Sequence, residues 1–145
     1  MGQNESKSPR DGALTLLQAL NDRDQEIIDQ CLKHKSVKKM INNKVNISEV
    51  VNRRESFFDV NITCLCYASD CNYARTVRQL VQAGADVTAS DSRGITPLHR
   101  SCESKIEAKQ KVGYLLSCDA SLIRARTNNN NHTPLNVAAL RCYRW

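Results

Sequence analysis

At 145 residues, 41% apolar and 25% charged, the chain is the size of one domain, and its composition is neither fibrous nor disordered. Aromatic residues make up 5%, so the core must be aliphatic; no apolar run reaches the 18 residues of a membrane span and the N-terminus has no apolar leader, so neither a spanning helix nor a secretory signal is expected. The net charge of +6 favours acidic partners or anionic lipid. The seven cysteines are an odd number. They read as free, mostly buried thiols in a reducing, cytoplasmic compartment, where the N-x-S/T sequons at Asn4, Asn46, Asn61 and Asn131 are silent.

The chain starts with a polar tail, residues 1–12, whose first six residues fit the M-G-x-x-x-S pattern of N-myristoylation. Removal of Met1 would leave Gly2 with a free, uncrowded amine, so Gly2 is the expected lipidation site. A single acyl chain binds membranes marginally and needs a second signal.

Residues 13–35 carry two apolar stripes separated by "NDRD". Leu14, Leu17 and Leu20 make one; Ile27, Ile28, Cys31 and Leu32 make the other. Asp24, Gln25, Asp29 and Gln30 are expected on a solvated outer face. Residues 36–62 read as a long connection. From Lys33 to Arg54 there are seven cations against Glu49 alone. This run suits an anionic membrane surface, and equally a solvated loop. Val50, Val51, Phe57 and Phe58 are expected to tuck under the rest. Connections of this length are functional or disordered, and the sequence leaves that choice open.

A repeat follows. "TCLCYAS" starts at Thr63, "TPLHRSC" at Thr96 and "TPLNVAA" at Thr133, spaced by 33 and 37 residues. Thr96 can cap a helix with its hydroxyl, and Pro97 fits the first turn, where no donor is missed. Leu98 and Ser101 then share a packing face. Val77, Leu80 and Val81 form the stripe of a second helix. Gly84 suits a left-handed helix end, and Ala85 is small enough for close approach. "DSRG", Asp91 to Gly94, reads as a tight turn with Gly at its last position. The unit is helix, turn, helix and protruding loop.

This unit resembles the ankyrin repeat, with the match most specific at "GADVTASDSRGITPLH". The resemblance covers about residues 63–142. It implies an all-α solenoid of three to four units: a degenerate first pair at 13–35, repeats at 63–95 and 96–132, and an incomplete one at 133–145. Its motif residues here are Thr63, Gly84, Asp91, Gly94, Thr96, Pro97, Leu98, His99, Thr133, Pro134 and Leu135. In the family, the histidine at the place of His99 ties hydrogen bonds within and between repeats. Departures are Cys64 for proline, Cys66 for histidine and Asn72 for the glycine between helices, where a left-handed backbone is expected. Lys105 stands at that place in the next repeat, whose second helix spans roughly 107–117, and "NNNN" replaces a glycine loop. The last repeat stops at Trp145. That leaves an apolar face for Tyr143 and Trp145 or another molecule to cover, or marks a shortened product.

Cys64, Cys66 and Cys71, with Cys102, match no zinc-site spacing, and no metal is expected. No nucleophile with a positioned base, phosphate loop or paired carboxylates occurs, so neither enzyme nor cofactor is expected. Nucleic acid is not the expected partner, because stacking aromatics are few and no reader motif occurs. By the resemblance, loop tips and first-helix faces line a concave protein-binding surface. Its expected contacts are Ser92, Arg93 and Ile95 in the loop, with Asp70, Cys71, Glu103 and Ser104 at first-helix ends. Arg124, Arg126 and Arg141 would extend a basic strip toward an acidic partner, or serve solubility alone. The expected function is a non-catalytic adaptor tethered to a membrane by myristate. One alternative is the N-terminal part of a larger signalling protein. Another is a basic lipid- or nucleic-acid-binding module.

Overall fold

The computed structural model describes residues 9–49 and 60–142. Gly2, Val50, Val51, Arg53, Arg54, Phe57, Phe58, Tyr143 and Trp145, to which the sequence assigned roles, lie outside the described residues. The described residues are all-α apart from one two-residue strand pair.

The first helix pair is α1 (Pro9–Asp22) and α2 (Gln25–Lys33). The buried face of α1 is Ala13, Leu16, Leu17 and Leu20, an i, i+3, i+4, i+7 set. Leu14, expected on that stripe, is half-buried, and Ala13 takes its place. Asp24 caps α2 by accepting from the Ile27 N–H at 3.2 Å. Gln25 and Asp29 do not form a solvated outer face. The Gln25 amide donates to Asp29 at 2.8 Å and to Gln79 at 3.1 Å, and the Gln79 amide donates to Asp29 at 3.2 Å. This polar knot joins α2 to the next repeat.

Residues 36–62 are more than a connection. They supply the short helix α3 (Val37–Met40) and strands β1 (Val45–Asn46) and β2 (Asn61–Ile62), paired antiparallel with Val45 opposite Ile62. Val37, Met40, Ile41, Val45, Val60 and Ile62 are all in the core.

The repeats then contribute α4 (Cys64–Cys71) and α5 (Ala74–Gln82), α6 (Pro97–Glu103) and α7 (Ala108–Cys118), and α8 (Pro134–Cys142). The first helices stack in the order α1, α4, α6, α8, and α7 packs on α5 behind them. Leu65, Leu98, Val77, Leu80 and Leu115 fill the space between the two layers. Gly84, at φ 109°, ends α5 while the Ala85 N–H reaches back to the Leu80 carbonyl at 3.0 Å. Asn72 is not left-handed: at φ −115°, ψ 169° it is extended, and its buried amide donates to the Leu20 carbonyl at 3.2 Å. The left-handed residues between helices are Arg23 and Glu107. Position matters at the end of the stack. Leu98 is 1% exposed beneath α8, whereas Leu135, its counterpart in the last repeat, is 71% exposed.

Two glycines give opposite expectations. Gly94 has φ 79°, and a Cβ there would lie 2.5 Å from the Asn128 side chain and 2.8 Å from its backbone nitrogen. Gly113 lies inside α7 with open space around it. Gly94→Ala should cost about 1–3 kcal/mol, and Gly113→Ala should stabilise by roughly 0.5–1 kcal/mol. Chemical denaturation of both variants checks the pair.

Candidate functional site

The loop between α5 and α6 is organised by a buried carboxylate. One oxygen of Asp91 accepts from the backbone N–H groups of Arg93 (2.8 Å) and Ile95 (3.0 Å). The other accepts from Arg100 at 2.7 Å, with the Asp91 side chain fully buried. The Gly94 N–H closes the turn on the Asp91 carbonyl at 3.0 Å. The loop is tied on both sides. The Ser92 N–H donates to the Asn61 carbonyl, and the Asn61 N–H donates back to the Ser92 hydroxyl. The Asn128 N–H, from the following loop, donates to the Arg93 carbonyl at 3.0 Å. Three successive loops are thereby held side by side. Asn131, at φ 55° two residues before Thr133, takes the left-handed place that Gly94 takes before Thr96.

The N-terminal ends of the first helices anchor these loops. Thr63 caps α4 by accepting from the Cys66 N–H, and Thr96 caps α6 by accepting from the His99 N–H. His99 completes the box, its Nδ1 accepting from the Thr96 N–H at 3.2 Å. Nε2 is then the protonated nitrogen and donates to the His132 carbonyl of the next loop at 2.9 Å. Burial pulls the His99 pKa below its ordinary value, against the opposing pull of that carbonyl. In the preceding repeat the Cys66 thiol also faces the next loop, with the Ala89 carbonyl at 3.2 Å and the carbonyl of Ile95, the counterpart of His132, at 3.7 Å. Burial raises Cys66 to about 11 and Cys64 to about 12, so both stay protonated. Of the seven free cysteines these two alone are buried, against an expected majority; Cys118 and Cys142 are exposed.

The C-terminal ends are met by cations. Lys111 on α7 is 0% exposed and donates to the Asn72 carbonyl at 2.9 Å and the Ser104 hydroxyl at 2.7 Å. It sits between the last residues of α4 and α6, where the helix dipoles favour positive charge. Burial lowers its pKa from 10.5 to about 8, while Asp70, Cys71 and Glu107 pull it back up. Arg23 donates to the Cys71 carbonyl at 3.0 Å, and Arg141 donates to the Ser104 carbonyl. Beside these ends lies an open cleft of about 290 Å³. Leu20, Tyr67 and Ile106 give it apolar walls, Asp70 and Glu103 give it acidic groups, and Arg23 and Lys105 give it basic ones.

A family model of ankyrin repeats, in three copies, matches residues 65–144, more than half of the chain. The chain belongs to the ankyrin repeat family. No curated protein matches it. Ankyrin repeats form protein-interaction modules, and the surface described above is where this one offers side chains. The α1–α2 pair lies before the matched region.

The residues expected to bind a partner fall into two groups at opposite ends of the first-helix layer. Ser92, Arg93 and Ile95 sit in the ankyrin loop before α6, Ser92 exposed and the others half-buried. Asp70, Cys71 and Glu103 come together around the cleft. Ser104 is buried, and its hydroxyl donates to the Asp70 carbonyl at 2.6 Å while accepting from Lys111. It supports the cleft from beneath and offers nothing to a partner. The expected basic strip is also partly consumed: Arg141 caps α6 and Arg126 donates to the Asn131 carbonyl at 3.3 Å, while Arg124 is exposed. Among the described residues no group of three or more His, Cys, Asp or Glu is placed to hold a metal ion. Sequence reasoning missed Lys111. The signal was its place at the core-facing position between Ala108 and Leu115.

Lys111 yields a pH signature. Between pH 8 and 10.5 the folded chain has lost this proton while the unfolded chain keeps it, so stability from this group rises with pH across that window. Cys64 and Cys66 act in the opposite sense. Comparing denaturation of wild type with Lys111→Met, which keeps the volume and both thiols, isolates the lysine. Wild type should gain on the order of 3 kcal/mol relative to the variant from pH 8 to 10.5. Parallel curves would refute the assignment.

Proposed function

We propose that this ankyrin protein is a non-catalytic adaptor. It holds an acidic segment of a partner protein along its loop tips, and an acyl chain on Gly2 brings it to the cytosolic face of a membrane. The observation that carries the first part is the fate of charge in the loops. Asp91 is buried and spent on Arg100 and the turn. Arg93 is in the loop before α6, and Arg124 ends the short 3-10 helix Ala120–Arg124 that leads into the next loop, which is hydrogen-bonded to the first through Asn128. With the acid buried, Arg93 half-buried and Arg124 exposed, this side of the stack favours a negatively charged segment. The cleft at the other end carries both signs and adds shape rather than net charge. The second part is supported by the Met1–Gly2–Ser6 pattern. Among the described residues no helix is long and apolar enough to cross a membrane.

A second reading is favoured by α8, where Leu135 and Leu140 are both exposed. Further repeats in a larger signalling protein would cover that face.

Two measurements test the proposal. Immobilised acidic peptides should retain the wild type and release it as salt rises. Arg93→Glu with Arg124→Glu should weaken that binding tenfold or more (about 1.4 kcal/mol), with thermal melting to show that the fold is kept. Binding that ignores the double reversal removes the acidic-partner reading. In eukaryotic cells fed an alkynyl myristate, the wild type should be labelled and membrane-bound, and Gly2→Ala should be unlabelled and cytosolic.

A further inference from the structure

We infer that the lysines at the end of α2 and along α3 form a docking face for anionic lipid, set beside the point where the N-terminal segment joins the fold. The inference deepens the acylation reading and rests on it for the location of the membrane, but its chemistry is separate.

Three observations carry it. The first is segregation. Lys33, Lys35, Lys38, Lys39 and Lys44 are all exposed, whereas Val37, Met40, Ile41 and Val45 between them are buried. The short helix therefore turns its apolar side inward and leaves cations outward. From Lys33 to Lys44 there is no acidic residue. None of the five lysines has an ion-pair partner among the described residues, where the salt bridge is Asp91–Arg100. The second is placement. Gly12, in the first turn of α1, is packed so tightly on Met40 that a Cβ would lie 2.5 Å from its sulfur. That contact fixes the start of α1 against the helix that carries Lys38 and Lys39. Gly2 is seven residues before Pro9, a chain length of at most about 25 Å from the start of α1. The third is rigidity. Asn42 ties the end of α3 to the repeats, its amide donating to the Gly84 carbonyl at 3.1 Å and its oxygen accepting from the Asp86 N–H at 2.7 Å. The lysines thus sit on a fixed surface. Nearby acids are Asp11, Glu49 and Asp86. Asp86 is occupied by the Thr88 hydroxyl and N–H.

One acyl chain alone partitions weakly, and each lysine brought close to an anionic leaflet strengthens partition by roughly fivefold. Four such lysines turn marginal binding into stable binding, with roughly a hundredfold or more to be lost on their removal. A membrane fits better than another polyanion because the same chain carries the acylation pattern, a few residues ahead of the helix whose first turn packs on α3.

The test compares phosphatidylcholine vesicles with and without phosphatidylserine, using the full chain in acylated and unacylated form. Lys35→Gln, Lys38→Gln, Lys39→Gln and Lys44→Gln are combined, with thermal melting to show that the fold is kept. The acylated wild type should sediment with serine-containing vesicles and only weakly with the others, and the quadruple variant should lose most of that preference. The unacylated wild type should show a weaker preference that the variant also loses. That arm keeps its meaning if Gly2 takes up no myristate, so failure of acylation and failure of the lysine face are distinguishable. Equal preference in wild type and variant overturns the inference. So does a variant that loses binding to heparin or RNA when the wild type has no preference for phosphatidylserine.

Discussion

The first helices of the two full repeats, α4 and α6, are so short that their ends outweigh their middles. An α-helix leaves four N–H and four C=O groups without internal partners. α4 has eight residues and α6 has seven, so few of their backbone groups are satisfied from within. Stacking removes water from the same helices. Each end must therefore find its partner in a neighbouring repeat, and that requirement builds the solenoid. At the N-terminal ends a threonine closes the helix and the third residue reaches onward to the next loop. At the C-terminal ends Arg23, Lys111 and Arg141 supply donors from the flanking units. The second helices obey the same demand: Tyr73 gives α5 no side-chain cap, and the Glu107 carboxylate from the next repeat accepts the Ala74 N–H at 2.9 Å.

The requirement fixes a role more tightly than a residue type. His99, Cys66 and Asn136 occupy the same position in three successive repeats. The imidazole both accepts from its own cap and donates to the next loop. The thiol keeps the onward bond, and the amide of Asn136 keeps the backward one, accepting from the Thr133 N–H at 2.9 Å. Cys66 is thus a weak donor in a structural place, and burial holds it protonated, which is the opposite of what a reactive cysteine needs.

Local chemistry of this kind was legible in the sequence. The Thr-Pro-Leu-His cap, Gly84 and the Asp91–Gly94 turn each depend on a few adjacent residues, and each appears in the structure as read. The features that were not legible depend on neighbours distant in sequence. Asn72 looked like a substitute for a left-handed glycine, but the carbonyl of Leu20 lies within reach of its amide and holds it extended. Ser104 looked like a surface contact until the carbonyl of Asp70 and the amine of Lys111 enclosed it. Ala13 replaced Leu14 on the buried stripe because a small residue lets α1 approach its neighbours, a preference that hydrophobicity alone does not register. Residues 36–62 lacked periodicity over any long window, yet their isolated apolar residues were enough to fill a core already shaped by helices.

The same logic decides which surfaces can recognise anything. The C-terminal ends of the first helices hold a cleft, but much of its polar lining already serves the stack: Arg23 is committed to Cys71, Asn21 accepts from the Tyr67 hydroxyl at 2.7 Å, and Ser104 lies beneath. Changing those groups would disturb packing before it changed affinity. The loop tips differ, because the bonds between loops run in part through backbone groups that any residue supplies, as from Asn128 to Arg93 and from Ser92 to Asn61. Their side chains are free to vary without loosening the ladder that positions them. The helix ends are thus the more constrained surface and the loop tips the less constrained one, which is the physical basis of the proposal that places recognition at the tips.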